Sequence, residues 1–182
     1  MEPSDAELVA RCQESQEAFV LLYRRHAPAL YAFLRSVHRG DEHAAADALQ
    51  ETFLRAWHAL SRFEPGRPMR PWLLRIALNV GLDALERGAR QEARDPALLG
   101  APSRELDPAQ GASQTDACHS LLRRASRHLS ARKLAAFVLS RGQGLTYEEI
   151  AAVQGCSTMT VKRDLAEARR ALAGAAMELG LA

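Results

Sequence analysis

Aromatic residues are scarce in this chain: phenylalanine, tryptophan and tyrosine together make up 5% of its 182 residues. Alanine, leucine, arginine and glutamate are abundant instead, and this composition favours an all-helical protein. No run of about eighteen consecutive apolar residues occurs, so the sequence predicts no helix that inserts into a membrane. Several acidic residues near the amino terminus do not suit a secretory signal, and we therefore expect a cytoplasmic protein.

Patterns that bind metals or form nucleophiles are also missing. The three cysteines, Cys12, Cys118 and Cys156, are widely separated and form no CxxC pair, so we expect reduced thiols. The six histidines form no HExxH motif and no recognisable partner for a nucleophile. The sequence thus predicts no metal site, no cofactor and no catalytic residue, although a helical enzyme remains an alternative.

Charge is unevenly distributed along the chain and helps to divide it. The formal net charge of +2 combines a net −3 over residues 91–118 with a net +5 over residues 119–182. Prolines and glycines without helical periodicity mark residues 91–115 as a linker. We therefore predict two small helical domains, residues 1–90 and 116–182, joined by a flexible linker.

Helical periodicity and capping residues predict the first helices of the amino-terminal domain. Ser4 should open a short helix, and Ser15 should cap a second one. The second helix carries a buried stripe that includes Tyr23, and Pro28 should kink or break it. A third helix is expected from residue 42 to about residue 60.

Prolines also define the boundaries that follow. The segment 61–70 cannot be regular because two prolines and a glycine interrupt it. Pro71 should occupy the first position of a fourth helix that ends near residue 90. Beyond the linker, a helix is expected over about 116–129, and Ser130 should cap the next.

Residues 146–172 have the pattern of two helices joined by a tight turn. Thr146 and Glu149 form a potential capping box, and Gly155 supplies the backbone freedom that a sharp turn requires. This pattern predicts a helix-turn-helix, with a solvated helical hairpin as the alternative. The polar and cationic residues of its second helix suit DNA bases and phosphates, and they are Ser157, Thr158, Thr160, Lys162, Arg163 and Arg169.

Three sequence blocks occur in the order seen in extracytoplasmic-function sigma factors, which are two-domain initiation subunits of bacterial RNA polymerase. The blocks are ADALQETFLRAW, WLLRIALNVGLDALER and LTYEEIAAVQGCSTMTVKRDLAEARRAL. Outside the linker, the chain resembles this family over nearly its whole length. The resemblance implies an all-helical protein that directs core polymerase to specific promoters and promotes strand opening. It implies sigma region two over residues 1–90 and a region four helix-turn-helix over residues 116–182.

The resemblance also implies a surface on the third helix that docks on a coiled coil of the β′ subunit. A carboxylate and amide surface beside an aromatic anchor suits a protein interface. The alternative for these residues is a solvated helix face. The implied core-binding residues are Asp47, Gln50, Glu51, Phe53, Leu54 and Trp57.

The loop and the fourth helix would contact the minus-ten promoter element. Apolar and cationic groups on a loop suit an unstacked base and its phosphates. A plain connector and a solubilising helix face are the alternatives. The implied minus-ten residues are Arg62, Phe63, Arg67, Met69, Arg70, Arg75, Asn79 and Arg87.

The second helix of the helix-turn-helix would read the minus-thirty-five element. Arg163 and Asp164 depart from the residues common in the family, and Asp164 could accept a hydrogen bond from a cytosine amine. The implied partners are the β′ and β subunits of core polymerase, promoter DNA and an anti-sigma factor. The acidic linker would thread the RNA exit channel. A helix-turn-helix regulator that does not engage polymerase is the alternative among DNA-binding proteins.

Overall fold

The computed structural model of the chain describes residues 3–12, 14–64, 66–94, 121–122, 124–125 and 129–178. Within these residues the regular structure is helical, with no strand. None of the described helices is both long and apolar enough to cross a membrane. The α-helices are α1 (Asp5–Arg11), α2 (Gln16–Val37), α3 (Glu42–Ala59), α4 (Met69–Arg94), α5 (Ala131–Arg141), α6 (Tyr147–Gln154) and α7 (Thr158–Glu178), with a 3-10 turn at Leu60–Arg62.

Side-chain caps fix where several of these helices begin. Ser4 and Glu7 form a complete capping box at α1, and Ser130 accepts a hydrogen bond from the first turn of α5, both as predicted. Asp41 caps α3 in the same way. Ser15 precedes α2 but makes no capping hydrogen bond, so that part of the prediction was wrong.

Two prolines lie inside helices rather than at their boundaries. The predicted break at Pro28 was wrong, because α2 continues through it to Val37. Pro28 and Arg24 are both exposed, so water can reach the Arg24 carbonyl that loses its helical donor. The predicted start of α4 at Pro71 was also wrong, since the helix begins at Met69. Pro71 still lies in the first turn, where its missing N–H has no intrahelical partner.

The fourth helix ends later than the predicted end near residue 90. Helix α4 continues to Arg94, so residues 91–94 are helical. The rest of the predicted linker lies outside the described residues. Most of the helix predicted over 116–129 does too, although residues 121–122 and 124–125 are helical.

Helices α1 to α4 form a bundle whose centre is occupied by large apolar side chains. Phe33 and Leu34 of α2 and Leu74 of α4 are fully buried there. Helices α2 and α4 pack closely at Gly81, because a Cβ added there would lie 3.1 Å from Cγ1 of Val37, which is a tight contact.

Two histidines are buried in this bundle. His26 Nε2 lies 3.0 Å from Oδ2 of Asp5, which ties α1 to α2. Burial lowers the pKa of His26 because it disfavours the charged ring, and Asp5 partly opposes this effect. Burial also lowers the pKa of His38, which Asp41 partly opposes. Both rings therefore favour the neutral form in the folded chain.

Helices α5 to α7 pack on one another and brace the turn between α6 and α7. Leu139, Ile150 and Val161, one from each helix, are fully buried. The Gln154 side chain donates to the Arg132 carbonyl at 2.8 Å, and Arg132 Nη1 donates to the Gln154 carbonyl at 3.2 Å. These two hydrogen bonds fix the end of α6 against the beginning of α5.

The two groups of helices also pack against each other. Helix α2 contacts α5, and α4 contacts α6. Buried residues of both groups, including Leu74 and Ile150, belong to one continuous apolar cluster. Gln143, between α5 and α6, is hydrogen-bonded to Arg70 of α4 and to the Ala29 carbonyl of α2. The described helices therefore form a closed arrangement of the two groups.

Candidate functional surfaces

An apolar groove lies between α2 and α3 on the surface of the first bundle. The rings of Phe19 and Trp57 meet edge to face, with their centroids 4.8 Å apart. The ring centroids of Tyr23 and Phe53 lie 4.6 Å apart. Tyr23 was predicted to be buried but is 41% exposed, so the contribution of α2 to this surface was missed. The lining residues are Phe19, Tyr23, Tyr31, Ala46, Leu49, Gln50, Phe53, Leu54 and Trp57.

The six residues predicted to bind polymerase lie together on α3, but their exposure differs. Four of them follow one face at successive turns and are exposed: Asp47, Gln50, Leu54 and Trp57. Glu51 is half-buried beside this face, and Phe53 is buried at 5% exposure. Phe53 therefore forms the floor of the groove, whereas Leu54 and Trp57 offer apolar surface to a partner.

Arg55 belongs to this surface and was not predicted from the sequence. Its guanidinium donates to Oε1 of Glu51 at 2.7 Å and to Oδ2 of Asp83 on α4 at 3.2 Å. These hydrogen bonds raise the pKa of Arg55 above its ordinary value, so it remains charged. The spacing of four residues between Glu51 and Arg55 along α3 was an available signal for the first contact. No local pattern indicated that Asp83 would contact Arg55.

The segment between α3 and α4 separates the predicted minus-ten residues into buried and exposed groups. Phe63 is 8% exposed, with its ring 4.9 Å from that of Trp72, and Met69 is 3% exposed. A base contact by either side chain would therefore require it to leave the core. The other predicted residues are exposed and form a polar strip along the loop and α4: Arg62, Arg67, Arg70, Arg75, Asn79 and Arg87.

Helices α6 and α7 form the predicted helix-turn-helix. Thr146 and Glu149 complete the capping box of α6, with hydrogen bonds of 3.2 and 2.8 Å. Gly155 ends α6 in the left-handed region with φ 64° and ψ 41°. Ser157 Oγ accepts from the Thr160 amide at 3.1 Å and thereby caps α7. These local predictions are confirmed.

The beginning of α7 presents a mixed polar and apolar surface. Lys162, Arg163 and Arg169 are exposed, whereas Thr158 and Thr160 are half-buried. Met159 is 74% exposed and was not predicted as a site residue. The sequence signal for an exposed Met159 was its position between Thr158 and Thr160, which lies off the apolar stripe of α7. An exposed methionine there could contact the methyl group of a thymine.

Asp164 occupies the inner side of α7 and does not face a potential DNA partner. Its side chain is 5% exposed. Its Oδ1 lies 3.7 Å from Nε of Arg163 and accepts no hydrogen bond from any described residue. Asp164 lies between the buried residues Val161 and Ala168 at helical spacing, which explains why its side chain is turned toward the interior. The prediction that Asp164 reaches a cytosine amine was therefore wrong.

Two family models match the chain at these surfaces. Sigma-70 region 2 matches residues 22–91, which contain α3, most of α4 and the loop between them. Sigma-70 region 4 matches residues 119–172, which contain α6 and most of α7. Both matches agree with the division of the chain into two groups of helices.

Curated relatives match over most of their length. RNA polymerase sigma factor CarQ of Myxococcus xanthus is 36% identical, covering 79% of this chain and 80% of its own. Sigma factor CnrH of Cupriavidus metallidurans is 35% identical, with 94% and 95% covered. The ECF RNA polymerase sigma-E factor of Escherichia coli is 30% identical, with 93% and 92% covered.

Solved structures of similar proteins have the same fold. CnrH in complex with the cytosolic domain of CnrY is 30% identical, with a TM-score of 0.68, and covers 93% of this chain and 95% of its own. The sigma factor RpoE of Bartonella quintana in complex with the anti-sigma factor NepR is 28% identical. Its TM-score is 0.71, and the match covers 86% and 95% of the two chains.

Proposed function

The chain belongs to the extracytoplasmic-function sigma factors and acts in promoter-specific initiation by RNA polymerase, and from this premise we propose how its surfaces divide the work. The groove of region two binds core polymerase, the polar strip on α4 contacts the minus-ten element, and α7 reads the minus-thirty-five element. The observation that supports this proposal most directly is the exposed apolar groove. A regulator that only binds DNA has no need of it.

The groove suits the side of a helix from another protein. Leu54 and Trp57 supply exposed apolar surface at its edge, and Asp47 and Gln50 supply a polar rim. Interfaces of this kind take most of their affinity from a few apolar and aromatic anchors surrounded by polar residues. The family resemblance supports the coiled coil of β′ as the partner, with β as a second contact of core polymerase.

The polar strip suits single-stranded DNA because cations can follow the phosphates of an exposed strand. Arg62 and Arg67 lie on the loop, and Arg75 and Arg87 continue along α4. The buried Phe63 and Met69 support the loop in the free chain. Capture of a base by either one would follow a rearrangement of the loop on promoter opening.

Helix α7 suits the major groove of duplex DNA. Its first two turns combine the Ser157 cap with exposed Met159, Lys162 and Arg163, and amides at a helix start also attract phosphate. Thr158 and Thr160 retain partial exposure and can donate to base edges or phosphates. Arg169 lies farther along α7 and would contact the DNA backbone.

The remaining expectations concern chemistry, location and regulation. The protein performs no covalent chemistry and acts in the cytoplasm, where polymerase and promoters meet. Its solved relatives CnrH and RpoE were determined with CnrY and the anti-sigma factor NepR, respectively. This similarity supports the proposal that an anti-sigma factor also binds this chain.

Transcription with purified core polymerase tests the proposal. A promoter is first selected from random DNA by the wild-type holoenzyme, then used as a linear duplex and with a pre-melted bubble. Arg163→Ala should weaken duplex binding by about 1–3 kcal/mol, because one base contact is lost. A combined Arg62→Ala and Arg67→Ala variant should retain duplex binding but open the linear promoter poorly.

Arg11→Ala, which removes an exposed arginine from α1, is the matched control and should behave as wild type. Failure of the wild-type chain to support any transcription by core polymerase would contradict the proposed function. If the Arg62→Ala, Arg67→Ala variant opens the linear promoter as well as the wild type does, only the assignment of the loop to the minus-ten element is contradicted.

A further inference from the structure

The turn Gly142-Gln143-Gly144 between α5 and α6 has a role that polymerase and DNA binding do not explain. Gln143 is only 8% exposed, although glutamine is usually solvated. Its Oε1 accepts a hydrogen bond from Nη2 of Arg70 at 2.7 Å, and its Nε2 donates to the Ala29 carbonyl at 3.2 Å. Both partners belong to region two, whereas Gln143 belongs to region four.

The backbone around Gln143 supports this contact. Gly144 has φ +69°, a conformation that other residues rarely adopt, and this lets the chain turn directly after Gln143. Leu145 follows and is buried in the apolar cluster shared by the two regions. The turn therefore presents the polar Gln143 and the apolar Leu145 to the interface, one on each side of Gly144.

The hydrogen bond from Arg70 matters because Arg70 lies on the proposed DNA strip at the beginning of α4. Its guanidinium is a charged donor, so its bond to Gln143 is stronger than a bond between neutral groups. While that bond persists, region four occupies a position beside the residue that would meet the minus-ten strand.

The closed arrangement also conflicts with the separation of the two promoter elements. Elements named for positions about 10 and 35 differ by roughly 25 base pairs, or on the order of 80 Å at about 3.4 Å per base pair. Gln143 and Arg70 are in direct contact instead. Region four must therefore leave region two before α7 and α4 can engage one promoter together.

We propose that Gln143 is a latch that holds region four on region two in the free protein and releases Arg70 when the two regions separate. This inference rests on the proposed division of DNA contacts between the regions. Loss of the latch should shift the ratio of closed to open protein by roughly ten- to one-hundred-fold, because a hydrogen bond to a charged group is lost from a partly buried site.

The test uses the full chain with Gln143→Ala, and Arg141→Ala as the matched control. Arg141 is exposed at the end of α5, two residues away. Small-angle scattering should give the wild type a radius of gyration near about 16 Å, the value for a compact chain of this length. The Gln143 variant should have a larger radius at unchanged helical content. It should also form promoter complexes faster when mixed with core polymerase and DNA.

A wild-type chain that is already extended would overturn the latch. So would a Gln143 variant that matches Arg141→Ala in both its radius and its rate of promoter-complex formation. If no variant and no wild-type chain forms a promoter complex, the proposed function fails, but the scattering comparison still decides whether Gln143 closes the protein.

Discussion

Truncation of Leu54 tests the proposal that the groove binds polymerase, and the expected magnitude follows from the exposure of Leu54. Leu54→Ala removes three carbon atoms, and full burial of each is worth about 0.8 kcal/mol. Leu54 is 50% exposed in the free chain, so a partner can bury about half of this surface. Binding to core polymerase should therefore weaken by about 1.2 kcal/mol, or about eightfold in Kd.

The other half of the Leu54 side chain is buried already, so the same variant should lose about 1 kcal/mol of folding stability. For a chain of this size, the melting temperature should fall by about 2–4 °C while the protein remains folded. Circular dichroism checks this, and titration of labelled core polymerase measures Kd.

Leu21→Ala is the matched control for this prediction. Leu21 is 40% exposed on α2 but does not line the groove. Leu21→Ala should lower the folding stability by about as much as Leu54→Ala does and leave the affinity for polymerase unchanged. Equal losses of affinity in both variants, or no loss for Leu54→Ala, would refute the assignment of the groove.

Two further predictions concern stability. The unfolding free energy should fall as pH decreases from 7.5 to 5.5, because His26 and His38 have lowered pKa values and the unfolded chain takes up protons first, near pH 6.5. In urea unfolding, a variant with both His26→Gln and His38→Gln should lose less unfolding free energy between pH 7.5 and 5.5 than the wild type does. An equal loss in the two proteins would contradict the assignment of the pH dependence to these histidines. Gly88→Ala should stabilise α4 by up to about 1 kcal/mol, since nothing lies near an added Cβ. Gly81→Ala should be less stable than Gly88→Ala by about 1–3 kcal/mol because of Val37, and equal urea midpoints would contradict that packing.

Features that depend on neighbouring residues could be predicted from the sequence. The helix-turn-helix follows from Thr146, Gly155 and Ser157, whose effects extend over one turn. The outer face of α3 follows from the helical spacing of Asp47 and Leu54. In both cases the backbone geometry alone brings the residues together.

Features that depend on distant parts of the chain could not be predicted. Gln143 and Arg70 are 73 positions apart, and no local pattern relates them. The burial of Met69 depends on the packing of the whole bundle, so a cationic loop with apolar residues appeared more accessible than it is. Asp164 was misassigned because only its capacity to accept a hydrogen bond was considered, whereas its position on α7 turns the side chain inward.

The pairing of Arg55 with Glu51 and Asp83 has a consequence for the effect of ionic strength on the protein. Because Glu51 already has a cationic neighbour within the chain, a basic partner gains less from approaching it. Polymerase binding should then rely on the apolar groove, which salt does not screen. The proposed promoter contacts use exposed arginines and would release counterions, so promoter binding should weaken steeply as salt rises. Increasing salt should therefore detach the holoenzyme from DNA well before the sigma factor leaves the polymerase.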